Sequence, residues 1–123
     1  MIHIYKQGTN NKVLFLLHGT GGDEHDLIGL AQMIDKEATI ISIRGNVSEN
    51  GQNRFFRRLG IGNYDIPNLI EETNNLKVFL IEAIANYDLN GKDLIGLGFS
   101  NGANMLESLQ QISPNILNKL ILL

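Results

Sequence analysis

The stretch Gly96-Leu97-Gly98-Phe99-Ser100-Asn101-Gly102 decides the fold. Before it, Lys92-Asp93-Leu94-Ile95 reads as a buried strand, and after it residues 103–109 carry apolar side chains at helical spacing. A Gly-x-Ser-x-Gly at such a junction demands a sharp turn. Glycines at 98 and 102 leave room for neighbouring backbone, while the residue between them is driven into a strained φ/ψ. The serine hydroxyl is then held at the carboxyl end of a sheet and the amino end of a helix, where backbone N–H groups favour a developing negative charge. This is the arrangement of a nucleophile elbow. The same residues also suit a glycine-rich strand-to-helix turn with an N-capping serine, so the weight falls on the rest of the chain.

Upstream of this turn, residues 2–6 alternate as a short edge strand, and Val13-Leu14-Phe15-Leu16-Leu17 is an apolar run of a length that suits a strand buried on both faces. It ends in His18-Gly19-Thr20-Gly21-Gly22, and a helical stripe follows over residues 27–34. Residues 38–43 read as a second buried strand. From Asn46 to Tyr64 no period is sustained, and Gly45, Gly51, Gly60 and Gly62 break the segment. Asp65 caps a long helix with Pro67 in its first turn; its apolar face runs through Leu69, Thr73, Leu76, Leu80, Ile84 and Tyr87, and Asn90-Gly91 stops it. The helix after the elbow reaches about Ile112, and residues 117–123 begin another strand. Alternating strands and helices with short connections predict one domain over residues 1–123: a three-layer α/β/α sandwich with a mainly parallel sheet.

The composition narrows the function. A net charge of −3 with no basic stripe argues against nucleic acid as a partner, and no apolar run is long enough for a membrane span. The chain has no cysteine, which excludes disulfides and thiolate metal sites. These features predict a soluble, cytoplasmic protein needing no metal or cofactor. A nucleotide site is disfavoured, because Gly96-x-Gly98 lacks a third glycine at the dinucleotide-binding spacing and no Gly-Lys-Ser/Thr occurs.

In sheets of this kind ligands bind beyond the carboxyl ends of the strands, where the loops 18–22 and 96–102 both fall. Acyl transfer requires a nucleophile and, near it, N–H donors for the oxyanion of the tetrahedral intermediate. Ser100 supplies the first; the backbone N–H groups of Thr20 and Asn101 supply the second, with Gly19 and Gly21 turning the loop so that backbone faces the substrate.

The order Leu16-Leu17-His18-Gly19-Thr20-Gly21-Gly22-Asp23-Glu24, then Arg54-Phe55-Phe56-Arg57-Arg58, then Gly98-Phe99-Ser100-Asn101-Gly102-Ala103-Asn104 resembles the amino-terminal part of the phospholipase/carboxylesterase family of α/β-hydrolases. The group meant is the small bacterial carboxylesterases related to acyl-protein thioesterases. The resemblance implies Ser100 as nucleophile, Thr20 and Asn101 as the oxyanion hole, and a small or acyl-chain ester as substrate. It also places Arg54, Phe55 and Phe56 on a loop near the acyl pocket, where either substrate binding or a structural role suits them. His18 is expected to shape its loop and His25 to be a first-turn polar residue.

The family's triad continues with an aspartate at a later strand end and a histidine near the carboxyl terminus. Neither has a counterpart here, since Asp88 and Asp93 fall at the opposite end of the sheet from the serine. The expectation is an α/β-hydrolase fold truncated after the elbow helix and the following strand, nearly inert by itself. Its unpaired sheet edge would lead to a homodimer. The competing expectation is an inactive remnant that self-associates or binds acyl ligands without turnover.

Overall fold

The computed structural model describes residues 1–60 and 63–123; Gly62, read above as one of the segment-breaking glycines, lies outside them. Five strands form the central sheet: β1 (His3–Lys6), β2 (Lys12–Leu17), β3 (Thr39–Ile43), β8 (Asp93–Gly98) and β9 (Lys119–Leu122). Their order across the sheet is β1-β3-β2-β8-β9. Only the β1–β3 pair is antiparallel; β2–β3, β2–β8 and β8–β9 are parallel. The chain thus has the mainly parallel α/β architecture expected from its alternation of elements.

Strand pleating sorts the apolar runs into two cores. Val13, Phe15 and Leu17 of β2 join Ile41, Ile43 and Leu94 on one face, with residues of α2 (Ile66–Asn86) and α3 (Asn101–Ile112) packed against them. Leu14 and Leu16 join Ile40, Ile95 and Leu97 on the other face, covered by Ala31 of α1 (Ile28–Ile34). Burial on both faces is why these strands read as continuous apolar runs rather than alternating ones.

In α2, Asp65 is the N-cap, its carboxylate accepting the Asn68 N–H at 3.1 Å, and Thr73, Leu76 and Leu80 are buried on the expected face. The strand before the elbow is longer than its apolar run, extending to Gly98. Gly96 and Gly98 lie in register with Phe15 and Leu17 and let α3 approach the sheet. A Cβ at Gly98 would fall 2.7 Å from the Ala103 nitrogen. The described residues of the segment from 46 to 64 include two short antiparallel strand pairs: β4 (Val47–Glu49) with β5 (Gln52–Arg54), and β6 (Arg58–Gly60) with β7 (Asn63–Tyr64). Strands of three residues or fewer leave no measurable period in the sequence. Among the described residues no helix is long and apolar enough to cross a membrane.

Candidate active site

β8 leads through Phe99 into Ser100, whose backbone stands at φ 52° and ψ −108°. It occupies the N-cap position of α3, yet its side chain makes no capping hydrogen bond. An ordinary N-cap serine has β-region backbone and a bonded hydroxyl; Ser100 has neither. The turn is closed by the Gly102 N–H donating to the Phe99 carbonyl at 3.0 Å and the Asn104 N–H donating to the Ser100 carbonyl at 3.0 Å.

The glycine-rich loop after β2 packs against this turn. The Phe99 N–H donates to the Leu17 carbonyl at 3.1 Å. A Cβ on Gly102 would lie 2.1 Å from that same carbonyl oxygen, and one on Gly19 would lie 2.8 Å from the Phe99 ring. Glycine at 19 and 102 is therefore what allows the two loops to converge at the carboxyl ends of β2 and β8. Gly21 sits at φ +84°, and its N–H donates to the Asn53 carbonyl at 3.0 Å.

His18 is buried and fully engaged. The Gly45 N–H donates to its Nε2 at 3.0 Å, so that nitrogen carries the lone pair, and Nδ1 carries the proton and donates to the Gly19 carbonyl at 2.6 Å. Burial lowers the pKa of the ring despite the bond to Gly19. His18 thus pins the loop in the shaping role expected of it. His25 lies ahead of α1 in the turn that follows the loop, 3.3 Å from the Asp23 carboxylate and exposed, rather than in the first turn of the helix. His3, on the edge strand β1, bonds the Met1 carbonyl and the Tyr87 hydroxyl. Asp23, Glu24 and His25 offer ligand atoms within 4.8 Å of one another, but Glu24 is already held by Arg44 through bonds of 2.8 and 2.7 Å. That pair also holds the Glu24 carboxyl below the usual carboxylate range.

Residues 54–56 tie the two loops together. Arg54 is 4% exposed; its Nε donates to the Phe56 carbonyl at 2.9 Å and its Nη1 donates to the Thr20 hydroxyl. The Phe55 N–H donates to Asn101 Oδ1 at 2.7 Å. One short segment therefore grips Thr20 from one side and Asn101 from the other. Phe55 and Phe56 are 1% and 0% exposed and belong to the core, and they brace the segment from beneath. Glu49 Oε1 lies 3.3 Å from Arg54 Nε but receives no aligned hydrogen bond, since that N–H is directed at Phe56. Burial, together with the charge of Arg58, lowers the pKa of Arg54. A cavity of about 250 Å³ opens beside Thr20, lined in part by Glu49, Gln52, Arg54 and Arg58.

The chain is similar to known bacterial hydrolases. "Putative hydrolase MhqD" of Bacillus subtilis (strain 168) is 49% identical over 109 residues, which are 89% of this chain and 54% of that protein. The crystal structure of the Bacillus cereus carboxylesterase matches with a TM-score of 0.94 at 45% identity, over 98% of this chain and 57% of that one. The chain has the fold of a carboxylesterase. The carboxylesterase from Mesorhizobium loti matches with a TM-score of 0.89 at 34% identity, over 94% of this chain and 55% of that one. The chain spans a little over half the length of each of these relatives, and no protein-family model matches it. The α/β-hydrolase architecture expected from the sequence is the one these neighbours share.

Several features of the site have no sequence signature. The side chain of Asn101, the Arg54–Thr20 bond and the acceptor role of His18 all depend on partners distant in the chain. Phe99, 50% exposed beside Gly19, is an apolar surface next to Ser100 that the spacing of the glycines does not reveal.

Proposed function

We propose that these residues form the nucleophile-bearing part of a carboxylic-ester or thioester hydrolase of the phospholipase/carboxylesterase type. The observation that carries this reading is Ser100: a non-glycine residue at positive φ, uncapped, exposed, and set where the loop after β2 converges. Its hydroxyl attacks the ester carbonyl, the N–H groups of Thr20 and Asn101 receive the oxyanion, and the acyl group passes to Ser100 as the alcohol leaves. Arg54 and the Asn101 side chain act as positioning residues, since they fix the backbone of the two oxyanion donors. A serine hydroxyl requires a base; His3 and His18 are hydrogen-bonded elsewhere, and His25 is exposed ahead of α1 beside Asp23. In this reading the proton acceptor is supplied from outside these 123 residues. A cytoplasmic site of action and independence from cofactors belong to the same reading.

The test is covalent labelling. The 123-residue chain is expected to react very slowly with a fluorophosphonate, because loss of a triad base costs about 10⁶-fold in a comparable hydrolase. Joined to the carboxyl-terminal segment of the Bacillus cereus carboxylesterase, it is expected to label quickly and to hydrolyse an activated ester. Ser100→Ala should abolish both. Turnover by the joined chain that survives Ser100→Ala would overturn the proposal. Rapid labelling of the 123-residue chain alone would reveal a base within it, with His25 the first residue to replace.

A further inference from the structure

The cavity beside Thr20 has the wrong lining for an acyl chain. Glu49, Gln52, Arg54 and Arg58 line it with Thr20, and among the described residues Leu59 is the one large apolar side chain in the lining. At about 250 Å³ it falls below the roughly 300–1,000 Å³ of sites for drug-sized ligands, so it suits a small group. Its charge is also unbalanced. Glu49 lies 3.3 Å from Arg54 and offsets it, whereas Arg58 forms no ion pair among the described residues. Arg54, a lining residue, spends two donors on Phe56 and Thr20, and its guanidinium carries three further N–H groups that have no hydrogen-bond partner among the described residues. Two guanidinium groups facing one carboxylate are brought to neutrality by a single negative charge. A planar fork of donors fits a carboxylate best.

We propose that this cavity binds a carboxylate carried by the ester substrate, so that the site prefers half-esters of short dicarboxylic acids to their neutral diesters. Thr20 sets the spacing. Thr20 lines the cavity, and in the proposed hydrolase its backbone N–H belongs to the oxyanion hole, so a carboxylate bound there lies close to the reacting carbonyl. The proposal rests on the Ser100 reading for its chemistry, but the anion site is testable without turnover.

The experiment is a titration of the ¹⁵N-labelled 123-residue protein with monomethyl succinate and with dimethyl succinate, followed by NMR. The half-ester is expected to bind about tenfold more tightly, the usual scale of one charge-assisted hydrogen bond. It should shift the resonances of Thr20, Gln52 and the arginine Nε–H groups. Arg58→Gln, an exposed and structurally tolerant change, should bring the ratio of the two affinities to near one. Raising the ionic strength should shrink the ratio as well, because Arg58 is exposed. Equal affinities, absence of binding by either ester, or a preference that survives Arg58→Gln would overturn the proposal. Fluorophosphonate labelling of the joined chain at Ser100 together with equal affinities would overturn this proposal alone. A half-ester preference without labelling would overturn the hydrolase reading alone.

Discussion

Ser100 holds a backbone conformation that serine adopts only under constraint. At φ 52° and ψ −108° its Cβ crowds the adjoining peptide groups, a cost of order 1–3 kcal/mol that the surrounding structure must offset. Glycine carries no such penalty but loses more chain entropy on folding, about 0.5–1 kcal/mol. Ser100→Gly is therefore expected to be about 1 kcal/mol more stable than Ser100→Ala, which keeps the Cβ, as measured by urea unfolding. Equal stability of the two variants would show that the turn is unstrained. The position of this residue was legible because Gly-x-Ser-x-Gly between a strand and a helix leaves few conformations open. The second task of its neighbour was not. Asn101 is 3% exposed, and its Oδ1 meets the Phe55 N–H across 46 positions of sequence, a pairing that no local pattern encodes.

Among the elements, the seating of α3 on β8 is governed by two glycines that differ in what surrounds them. A Cβ at Gly96 would meet the flexible ends of Leu106, Leu117 and Leu120 at 3.0–3.1 Å, whereas one at Gly98 would meet the backbone of Gly102 and Ala103 at 2.7–2.8 Å. Side-chain tips can give way, but helix backbone moves only with the whole first turn. Gly98→Ala is expected to cost at least the 1–3 kcal/mol typical of overpacking, and Gly96→Ala less than about 1 kcal/mol, by thermal or urea unfolding. The reverse order would mean that α3 is not anchored at its amino end. Elements of this kind were readable where burial imposes a period: β2 and β3 through apolar runs, and α2 through its stripe from Leu69 to Tyr87. The short strand pairs between residues 47 and 64 were not readable. Their strands are too short for a period, and their value lies in carrying Arg54 beneath Thr20, a placement that only tertiary packing determines.

At the scale of the molecule, the two edges of the sheet differ in character. β1 runs antiparallel to β3, and its Tyr5 stacks on Tyr87 at 4.0 Å, so that edge is partly covered by α2 and the residues that end it. β9 is bonded to β8 alone among the described strands, and Leu122 is 42% exposed. An edge strand presents unpaired N–H and C=O groups that template pairing with another chain, and charged side chains are the usual deterrent. The one charge on β9 is Lys119, at its start and already 3.3 Å from Asp93. We propose that the 123-residue polypeptide pairs with a second copy through β9, extending the sheet across both molecules. Sedimentation velocity is expected to show a dimer whose fraction grows with concentration, and Leu122→Lys, at an exposed position on that edge, should shift the equilibrium toward monomer. The lysine would place like charges near one another across the new ladder, so the shift should diminish as salt is added. A chain that stays monomeric at millimolar concentration would show that β9 is protected by its own twist or side chains, and the pairing would have to be abandoned.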